Sequence, residues 1–385
     1  MSTTMTLEPQ THSRDARPAR ATAAPPATLT WSLVVCTYKR EQVLPRCVRC
    51  ALGSTRPPKQ VIVVDASPDW GATRAKILGE FEAAHPGVEF VYHKARRASL
   101  TAQRNQALEL TTADVAFMLD DDSLIFPDTA EKIMAVYDAD SANEIVALTP
   151  LFVAEVPDAH LGVTSKGHPT AGSTPKNEWG GGNPLRRIAR SLLWAETQLL
   201  PYDGDGAARP VPPALKARFE LWPARFSTGS ATFRTAAVRS ARFEELLERY
   251  AAAEDWDISE RIRHKGLIAY VPAARQCHLE APGGRLSRRT VATLKFCNFM
   301  ALHVLHSTDV RRSRRLHKQF VVRRLIADVL ADLAKLRFDF GRTRGTLRAA
   351  KLLPVIFGKT PAELRAWYPQ FQRDIIATDT GEQKR

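Results

Sequence analysis

The sequence lacks the patterns that mark membrane-spanning and disulfide-stabilised proteins. Its 385 residues contain no run of about 18 apolar residues, so no transmembrane helix is predicted. The five cysteines form no framework, and the single C-x-x-C pair, Cys47 and Cys50, has no second pair to complete a zinc site. We therefore expect reduced, structural thiols in a cytoplasmic protein.

The first segment, residues 1–29, also lacks the continuous apolar core of a signal peptide. It is rich in Thr, Ala, Pro and Arg, and this composition is typical of a disordered leader. The rest of the chain has a globular composition and is long enough for roughly two domains.

The chain has fewer acidic than basic residues. The chain has 55 Lys and Arg against 41 Asp and Glu, which gives a formal net charge of +14. An excess of this size indicates an anionic partner, such as a nucleotide, a nucleic acid or a membrane surface. No pattern typical of a nucleic-acid-binding module is present, so nucleic acid is the least favoured of the three.

Short apolar runs alternate with helical segments in the first half of the chain. Strands are predicted at 32–36, 60–64, 88–92, 115–119 and 145–149, with helices over 41–52, 72–84, 100–110 and 129–139 between them. Ser99 and Asp128 are the predicted N-caps of the last two helices. This alternation predicts an α/β fold with a largely parallel sheet, which binds ligands beyond the carboxyl ends of its strands.

Three adjacent carboxylates follow the fourth predicted strand. Asp120, Asp121 and Asp122 repel one another, and burying them unpaired would cost several kcal/mol each. Mg²⁺ or Mn²⁺ would resolve the conflict, because both ions prefer oxygen ligands. Since strand side chains alternate, Asp120 and Asp122 can share one side while Asp121 faces away. Taken alone, the triplet is more often a solvated acidic turn.

Other polar residues follow strand ends as well. Thr37 and Tyr38 come after the first predicted strand, and Asp65 comes after the second. The ends of parallel strands meet at one edge of a sheet, so these side chains can converge with the aspartates. That convergence favours a functional site over a solvated turn.

The second half of the chain is less regular. Residues 151–226 are rich in Gly and Pro, contain one amphipathic helix near 185–200, and are predicted to be a lid or substrate loop. Beyond them, a glycine-marked turn enters a strand near 234. Helices are predicted over 236–252 and 254–265, and a strand at 267–271 is followed by His278.

The last part, from about residue 285, is predicted to be helical and basic. Between Arg311 and Lys351 there are 13 Lys or Arg and 3 Asp, a balance of +10. An interrupted apolar stripe runs through this part: Leu316, Phe320, Leu325, Val329, Leu333 and Leu336. The segment either lies on an anionic membrane surface or is the solvated face of helices packed on the preceding domain, and the two interpretations are equally supported.

Four elements together resemble the inverting glycosyltransferases of family 2, which have the Rossmann-like, nucleotide-sugar-binding GT-A fold. The elements are residues 34–40, 61–65, 119–122 and 254–257, the last followed by Arg261. The resemblance covers 31–151 and 226–280 and implies a GT-A catalytic domain over 30–284. Within it, 30–150 would be the nucleotide-binding half, 151–226 an insertion or acceptor loop, and 227–284 the acceptor and base half. Residues 285–385 would form a C-terminal helical extension.

The resemblance also implies roles for individual residues. On the nucleotide side it implicates Thr37, Tyr38, Arg40, Asp65, Arg104, Asn105, Asp120 and Asp121. Asp122, Asp120 and His278 would hold Mg²⁺ or Mn²⁺. Asp255 would be the catalytic base, Asp257 the second choice for that role, and Glu254 a residue that orients the acceptor.

This sequence departs from the family pattern in two ways that refine the expected function. The first is that Asp65 is followed by Ala66 and Ser67, where relatives often have acidic or amide residues and Gly. The second is that the Gln-x-x-Arg-Trp element of processive synthases is absent. We therefore expect a metal-dependent, inverting, non-processive transferase of the hexosyltransferase type that uses a nucleoside-diphosphate sugar, with a UDP-sugar favoured.

The acceptor is less defined than the donor. It would be a hydroxyl on a lipid-linked or cell-envelope glycan, on a small molecule or on a peptide. The protein would be cytoplasmic, with peripheral attachment to the inner face of the membrane in the first case. The alternatives are a nucleotide-sugar-binding scaffold without turnover and a nucleotidyltransferase, although the glycine-rich signature of the latter is missing after the first strand.

Overall fold

The fold is organised by one mixed sheet. The computed structural model describes residues 28–157, 200–204, 206–249, 251–279 and 286–382. Most of the predicted leader, and the amphipathic helix predicted near 185–200, therefore lie outside the described residues. Within these ranges, nine strands and eleven helices are present.

The strands are β1 (Trp31–Thr37), β2 (Gln60–Asp65), β3 (Glu89–Lys94), β4 (Val115–Asp120), β5 (Ser123–Ile125), β6 (Ile145–Phe152), β7 (Trp222–Ala224), β8 (Ala231–Arg234) and β9 (Leu267–His278). The helices are α1 (Leu44–Leu52), α2 (Trp70–Phe81), α3 (Leu100–Leu110), α4 (Thr129–Ala139), α5 (Pro213–Lys216), α6 (Thr235–Ala241), α7 (Glu254–Ile262), α8 (Arg288–His306), α9 (Val310–Ala334), α10 (Gly341–Ile356) and α11 (Pro361–Glu382).

The strand order is β3-β2-β1-β4-β8-β6-β9-β5, and β7 pairs with β9. The predicted parallel pairing holds from β3 through β4. Beyond β4 the sheet is mixed, because β8 runs antiparallel to both β4 and β6, while β6 and β9 are parallel. The predicted α/β fold with flanking helices and a C-terminal helical extension is confirmed.

The parallel strands are buried on both faces. β2 is buried along its whole length, and β1 and β4 nearly so. Such continuous apolar runs are typical of parallel strands covered by helices on each side. One core cluster, with Leu33, Val63 and Phe117, packs against α1 and α4, and a second, with Val34, Ile62 and Met118, packs against α3 and α6.

The C-terminal helices form a third apolar cluster that reaches α7. Trp256 of α7 is 1% exposed and packs edge-on against Phe299 of α8, with ring centroids 4.9 Å apart. Phe320 of α9 and Leu353 of α10 belong to the same cluster. The helical extension therefore fixes the position of α7.

One helix boundary was predicted wrongly, and the two predicted N-cap residues lie at the N-cap positions without a side-chain hydrogen bond to the helix. The helix predicted over 236–252 ends at Ala241, because Arg242 has a φ of 55° and breaks the helical backbone. Ser99 does not cap α3; its hydroxyl donates to the carbonyl of Leu247 at 2.8 Å instead. Asp128 makes no side-chain cap to α4, and its carboxylate accepts from Lys132 at 2.6 Å.

No disulfide joins the five cysteines, all of which lie in described residues. No helix in the described part of the chain is long and apolar enough to cross a membrane.

Candidate active site

The predicted convergence at the carboxyl edge of the sheet is present. Thr37 at the end of β1 lies opposite Asp65 at the end of β2, and Cys36 lies opposite Asp120 at the end of β4. Three polar side chains predicted for the nucleotide half of the site therefore follow neighbouring parallel strands. This is the edge at which open α/β sheets bind their ligands.

A short strand brings His278 to the aspartates. β5 begins at Ser123 and pairs antiparallel with the end of β9, so that Ser123 lies opposite His278. The amide of Leu279 donates to the carbonyl of Asp122 at 2.9 Å, which fastens the two segments together. His278 Nε2 lies 2.9 Å from Asp122 Oδ1.

Asp120, Asp122 and His278 can bind one cation together. Each offers a ligand atom, and these atoms all lie within 4.8 Å of one another. Two carboxylate oxygens and one imidazole nitrogen form a donor set that suits Mn²⁺ or Mg²⁺. Asp122 is 2% exposed, so a bound cation would also relieve the cost of its buried charge. The residues present therefore fit a divalent metal.

Asp121 is not one of these potential metal ligands, and it follows the end of β4, so strand alternation does not set its direction. Its carboxylate accepts from the Thr37 hydroxyl at 2.7 Å and from Arg40 Nη1 at 3.1 Å. Burial raises the pKa of Asp121 to about 7, although Arg40 and Thr37 both favour the charged form. Arg40 also donates to Asp122 Oδ2 at 2.8 Å, so its guanidinium supports two of the three aspartates. Contacts of Arg40 and Asp121 with a nucleotide stay predictions.

Arg104 links the aspartates to α7. Its side chain is 5% exposed, and Nη1 donates to Glu254 Oε1 at 2.9 Å. Its Nη2 donates to Asp120 Oδ1 at 3.3 Å and to the carbonyl of Gly229 at 2.8 Å. One buried guanidinium therefore contacts the candidate metal cluster and the residue next to the candidate base.

Gly229 lies where these groups meet. A methyl group placed on it would lie 3.5 Å from Asp120 Oδ2 and 3.8 Å from both Arg104 Nη2 and Glu254 Oε1. The carboxylates of Asp120 and Glu254 therefore both lie within about 4 Å of one point. The neighbouring Ser230 hydroxyl accepts from the Asp120 amide at 3.0 Å and lies 2.8 Å from the Ser123 hydroxyl.

Helix α7 presents two adjacent carboxylates. It begins after Ala253, whose φ of 84° is unusual for a residue other than glycine and redirects the chain into the helix. Asp255 is partly exposed, and its Oδ1 accepts from the Trp256 amide at 2.8 Å. Burial raises the pKa of Asp255 above its usual range. Burial also raises the pKa of Glu254, and the Asp255 charge raises it further, while Arg104 opposes both effects.

Asp257 is placed differently. Its side chain is fully buried, and it accepts from the Tyr202 hydroxyl at 2.6 Å and from Arg261 Nε at 3.0 Å. A carboxylate surrounded by such partners stabilises the packing of α7. The structure therefore does not bring the second-choice base together with Asp120 and Glu254 around Gly229.

The remaining predicted residues have mixed surroundings. Asp65 is 1% exposed and accepts from the Ser67 amide and the Tyr92 hydroxyl, each at 2.7 Å. Tyr38 is 46% exposed at the rim of the site. The side-chain nitrogen of Asn105 donates to the carbonyl of Phe243 at 2.9 Å, and its side-chain oxygen accepts from the Phe243 amide at 2.8 Å. Nucleotide contacts by these three residues stay predictions.

Sequence reasoning missed Gly229 and Ser230 as site residues. Both lie in the segment Ser227-Thr228-Gly229-Ser230, which was noted only as a turn before a strand. A glycine flanked by hydroxyl residues is a signal of close approach by other groups. However, the segment alone does not indicate that Asp120 and Arg104 are the groups that approach.

A family model identifies the first half of the chain. The model described as Glycosyl transferase family 2 matches residues 32–177. This match includes Thr37, Arg104 and the three aspartates, and it ends before α7 and β9. A comparison with curated proteins found no match.

Solved structures of glycosyltransferases are similar at low identity. GalNAc-T7, crystallised with UDP, GalNAc and Mn²⁺, is 16% identical with a TM-score of 0.49; the match covers 89% of this chain and 59% of that chain. The mannosyltransferase PcManGT from Pyrobaculum calidifontis, in complex with GDP-Man and Mn²⁺, is 14% identical with a TM-score of 0.48, covering 86% and 88%. S. aureus TarS, in complex with UDP-GlcNAc, is 14% identical with a TM-score of 0.45, covering 91% of both chains.

The family match includes three of the four sequence elements, residues 34–40, 61–65 and 119–122, and the aspartates of the matched segment lie at the carboxyl edge of the parallel strands. The match of residues 32–177 to glycosyl transferase family 2 supports a glycosyltransferase with an α/β catalytic domain.

Proposed function

We propose that this enzyme is a metal-dependent, inverting glycosyltransferase that moves one sugar from a nucleoside diphosphate, with UDP favoured, to a hydroxyl acceptor. One observation carries the proposal: the Arg104 side chain contacts both Asp120 and Glu254. Because Glu254 immediately precedes Asp255, this contact supports a single site that contains both the candidate metal cluster and the candidate base.

The nucleotide half lies at the ends of β1, β2 and β4. Thr37, Asp65 and Arg40 line this edge, with Tyr38 at its rim. Asp120, Asp122 and His278 would hold the divalent cation, which supplies Lewis-acid stabilisation of the departing diphosphate when bound. Arg40 adds a positive charge beside Asp122, and Arg104 adds one beside Asp120.

The acceptor half lies at the start of α7. In the proposed reaction, the acceptor hydroxyl gives its proton to an Asp255 oxygen as its own oxygen bonds to the anomeric carbon, and the bond to the diphosphate oxygen breaks. A carboxylate within about 2.6–3.2 Å of that hydroxyl can take the proton. The raised pKa of Asp255 makes it a stronger base than an exposed aspartate. Attack from the side opposite the diphosphate inverts the anomeric centre.

The donor and the metal are tested together by thermal shift. The full-length protein would be heated with UDP, GDP, ADP and their sugars, each with Mg²⁺, with Mn²⁺ or with EDTA. A ligand at 100 times its dissociation constant adds about 2.7 kcal/mol of stability. We expect one nucleotide class to stabilise the protein only when metal is present. In Asp122→Asn, this metal-dependent stabilisation should be lost. Equal stabilisation in EDTA would contradict the proposal.

A turnover assay beside the thermal shift distinguishes a binding scaffold from an enzyme. A scaffold would be stabilised by the donor but would release no free nucleoside diphosphate from it with any acceptor. The matched control is Asp114→Asn, since Asp114 lies at the opposite end of β4 and bonds Thr30 rather than site residues. This control should keep the metal-dependent shift.

We also propose that the enzyme acts in the cytoplasm and that its acceptor is carried at the inner membrane surface as a lipid-linked or cell-envelope glycan intermediate. Support for the first point comes from five cysteines without a disulfide, which is typical of a reducing compartment. Support for the second comes from the positive charge of residues 311–351. A soluble small molecule or peptide is the alternative acceptor. Transfer of radiolabelled sugar into an organic-extractable rather than an aqueous product distinguishes the two.

A further inference from the structure

The outer face of helix α9 is basic at one end and apolar at the other. Its exposed positions 311, 315, 318, 322, 326, 330 and 333 are three or four residues apart, so they lie along one side of the helix. The first three are Arg311, Arg315 and Lys318, and the last four are Val322, Ile326, Leu330 and Leu333. We call these seven residues the α9 face. It extends about 33 Å along the helix axis.

The apolar half of this face is well exposed. Val322 is 60% exposed, Ile326 48%, Leu330 54% and Leu333 46%. The turn that follows α9 adds Leu336 at 74% and Phe338 at 70%. Single exposed apolar residues need no explanation, but six large ones along one helix and its following turn form a patch that marks an interaction surface.

The opposite side of α9 already has its partners. Phe320 is 1% exposed and packs on Phe296 of α8, with ring centroids 5.5 Å apart. Leu316 and Leu325 pack against the same cluster. The stripe predicted from sequence thus combined residues of two faces, because Phe320 points inward whereas Leu333 and Leu336 are exposed. Packing on the domain and an exposed apolar face are both present.

The two acidic residues of α9 are turned away from this surface. Asp328 is 1% exposed and accepts from the Thr346 hydroxyl at 2.7 Å, and it pairs with Arg324 at 2.9 Å. Asp332 is 2% exposed and accepts from the Thr343 hydroxyl at 2.9 Å. The charged groups on the α9 face are therefore all positive.

We infer that the α9 face binds an anionic bilayer surface, with its apolar half inserted at the headgroup level and its basic half on lipid phosphates. Helices that combine exposed apolar and basic side chains lie in the plane of such an interface. A second copy of this chain would bring like charges together, which disfavours self-association through the same face. An acidic protein would match the charge, but it would leave the apolar half without the hydrocarbon that the bilayer provides.

This inference rests on the proposed function in one respect, the location of the acceptor at the membrane surface. Binding to lipid is therefore measured without donor, metal or acceptor, and its failure would leave the transferase activity in place. The full-length protein would be sedimented with vesicles of phosphatidylcholine alone and with vesicles containing 30 mol% phosphatidylglycerol (roughly the charge density that attracts basic segments), at low and high salt.

Two variants test the two halves of the face. The basic variant is R311Q/R315Q/K318Q, and the apolar variant is I326Q/L330Q. The matched control is R74Q/K76Q, which removes two exposed charges from α2. Melting temperature and activity on a soluble acceptor show that each variant is folded.

We expect the wild-type protein and the α2 control to bind the anionic vesicles and to be released at high salt. The basic variant should bind more weakly by about fivefold for each charge removed. The apolar variant should lose roughly tenfold or more because its inserted side chains no longer leave water.

Three results would overturn the inference. The first is no sedimentation of wild-type protein with anionic vesicles. The second is equal binding by wild-type protein and both α9 variants. The third is a wild-type dimer that becomes monomeric in I326Q/L330Q with unchanged vesicle binding, which would assign the face to self-association instead.

Discussion

Arg104 donates to Glu254 across 2.9 Å, and both side chains are nearly buried, at 5% and 10% exposed. This pair joins two parts of the chain 150 residues apart and brings α7 to the edge of the parallel strands. Because the same guanidinium contacts Asp120, the pair also sets the spacing between the metal cluster and the start of α7.

Removing Arg104 should destabilise the fold strongly. Arg104→Met leaves the Glu254 carboxylate buried without its cation, which costs about 3–5 kcal/mol of unfolding free energy. Adding Glu254→Gln should recover a large part of that loss, and urea denaturation measures both changes. The matched control is the exposed pair of Arg96 and Glu109, where Arg96→Gln should cost less than about 1 kcal/mol. Equal losses for Arg104→Met and Arg96→Gln would contradict the buried bridge.

The contribution of Asp255 to stability and its contribution to activity should respond to pH in opposite directions. The pKa of Asp255 is raised in the folded state, so the folded protein holds a proton that the unfolded chain has already lost. The contribution of Asp255 to the free energy of unfolding should therefore fall as pH rises from about 4 through the folded pKa. Turnover should rise over the same window, because only the ionised carboxylate accepts a proton.

The comparison that isolates this effect is the difference in unfolding free energy between the wild-type protein and Asp255→Asn at each pH. The asparagine cannot ionise, so the variant should gain stability relative to wild type as pH increases. A difference that stays constant between pH 4 and 8 would show that burial does not raise the pKa of Asp255.

Asp257 should prove to be structural. Its carboxylate is fully buried against Arg261 and Tyr202, so Asp257→Asn should lower the free energy of unfolding by about 3 kcal/mol. Turnover per folded molecule, measured at a temperature where the variant is folded, should change less than about tenfold, because Asp257 touches no reacting group. A large fall in turnover without loss of stability would instead identify Asp257 as the base.

His278 should contribute to metal affinity. Its imidazole lies 2.9 Å from Asp122, and its nitrogen is close enough to Asp120 for the three residues to bind one ion. His278→Ala should weaken Mn²⁺ binding by about 10- to 100-fold, measured by calorimetric titration of the metal without donor. His93→Ala, an exposed histidine on β3, is the matched control. Unchanged Mn²⁺ affinity in His278→Ala would remove the histidine from the metal site.

Sequence patterns predicted the local features of this fold well. The buried runs of β1, β2 and β4 and the periodic helices between them are short-range signals, and each ended close to its predicted residue. The strand ends with Thr37, Asp65 and Asp120 could be placed at one edge because parallel strands share a direction.

Features that depend on long-range contacts were missed. β5 has only three residues, which is too short to give a periodic signal, yet its pairing with β9 brings His278 to Asp122. The early end of α6 depends on the positive φ of Arg242. The side chains that follow favour a helix, so the sequence does not indicate this break. The burial that separates Asp257 from Asp255 appears only once the C-terminal helices are packed on α7.

The central claim is that Asp255 removes the acceptor proton beside a metal-binding cluster that includes Asp122. The most direct measurement is the rate at which Asp255→Asn releases nucleoside diphosphate in the presence of acceptor, together with its thermal shift by donor and metal. We expect turnover to fall by about 10²- to 10⁴-fold, with the donor-dependent shift retained. Turnover equal to wild type would contradict it.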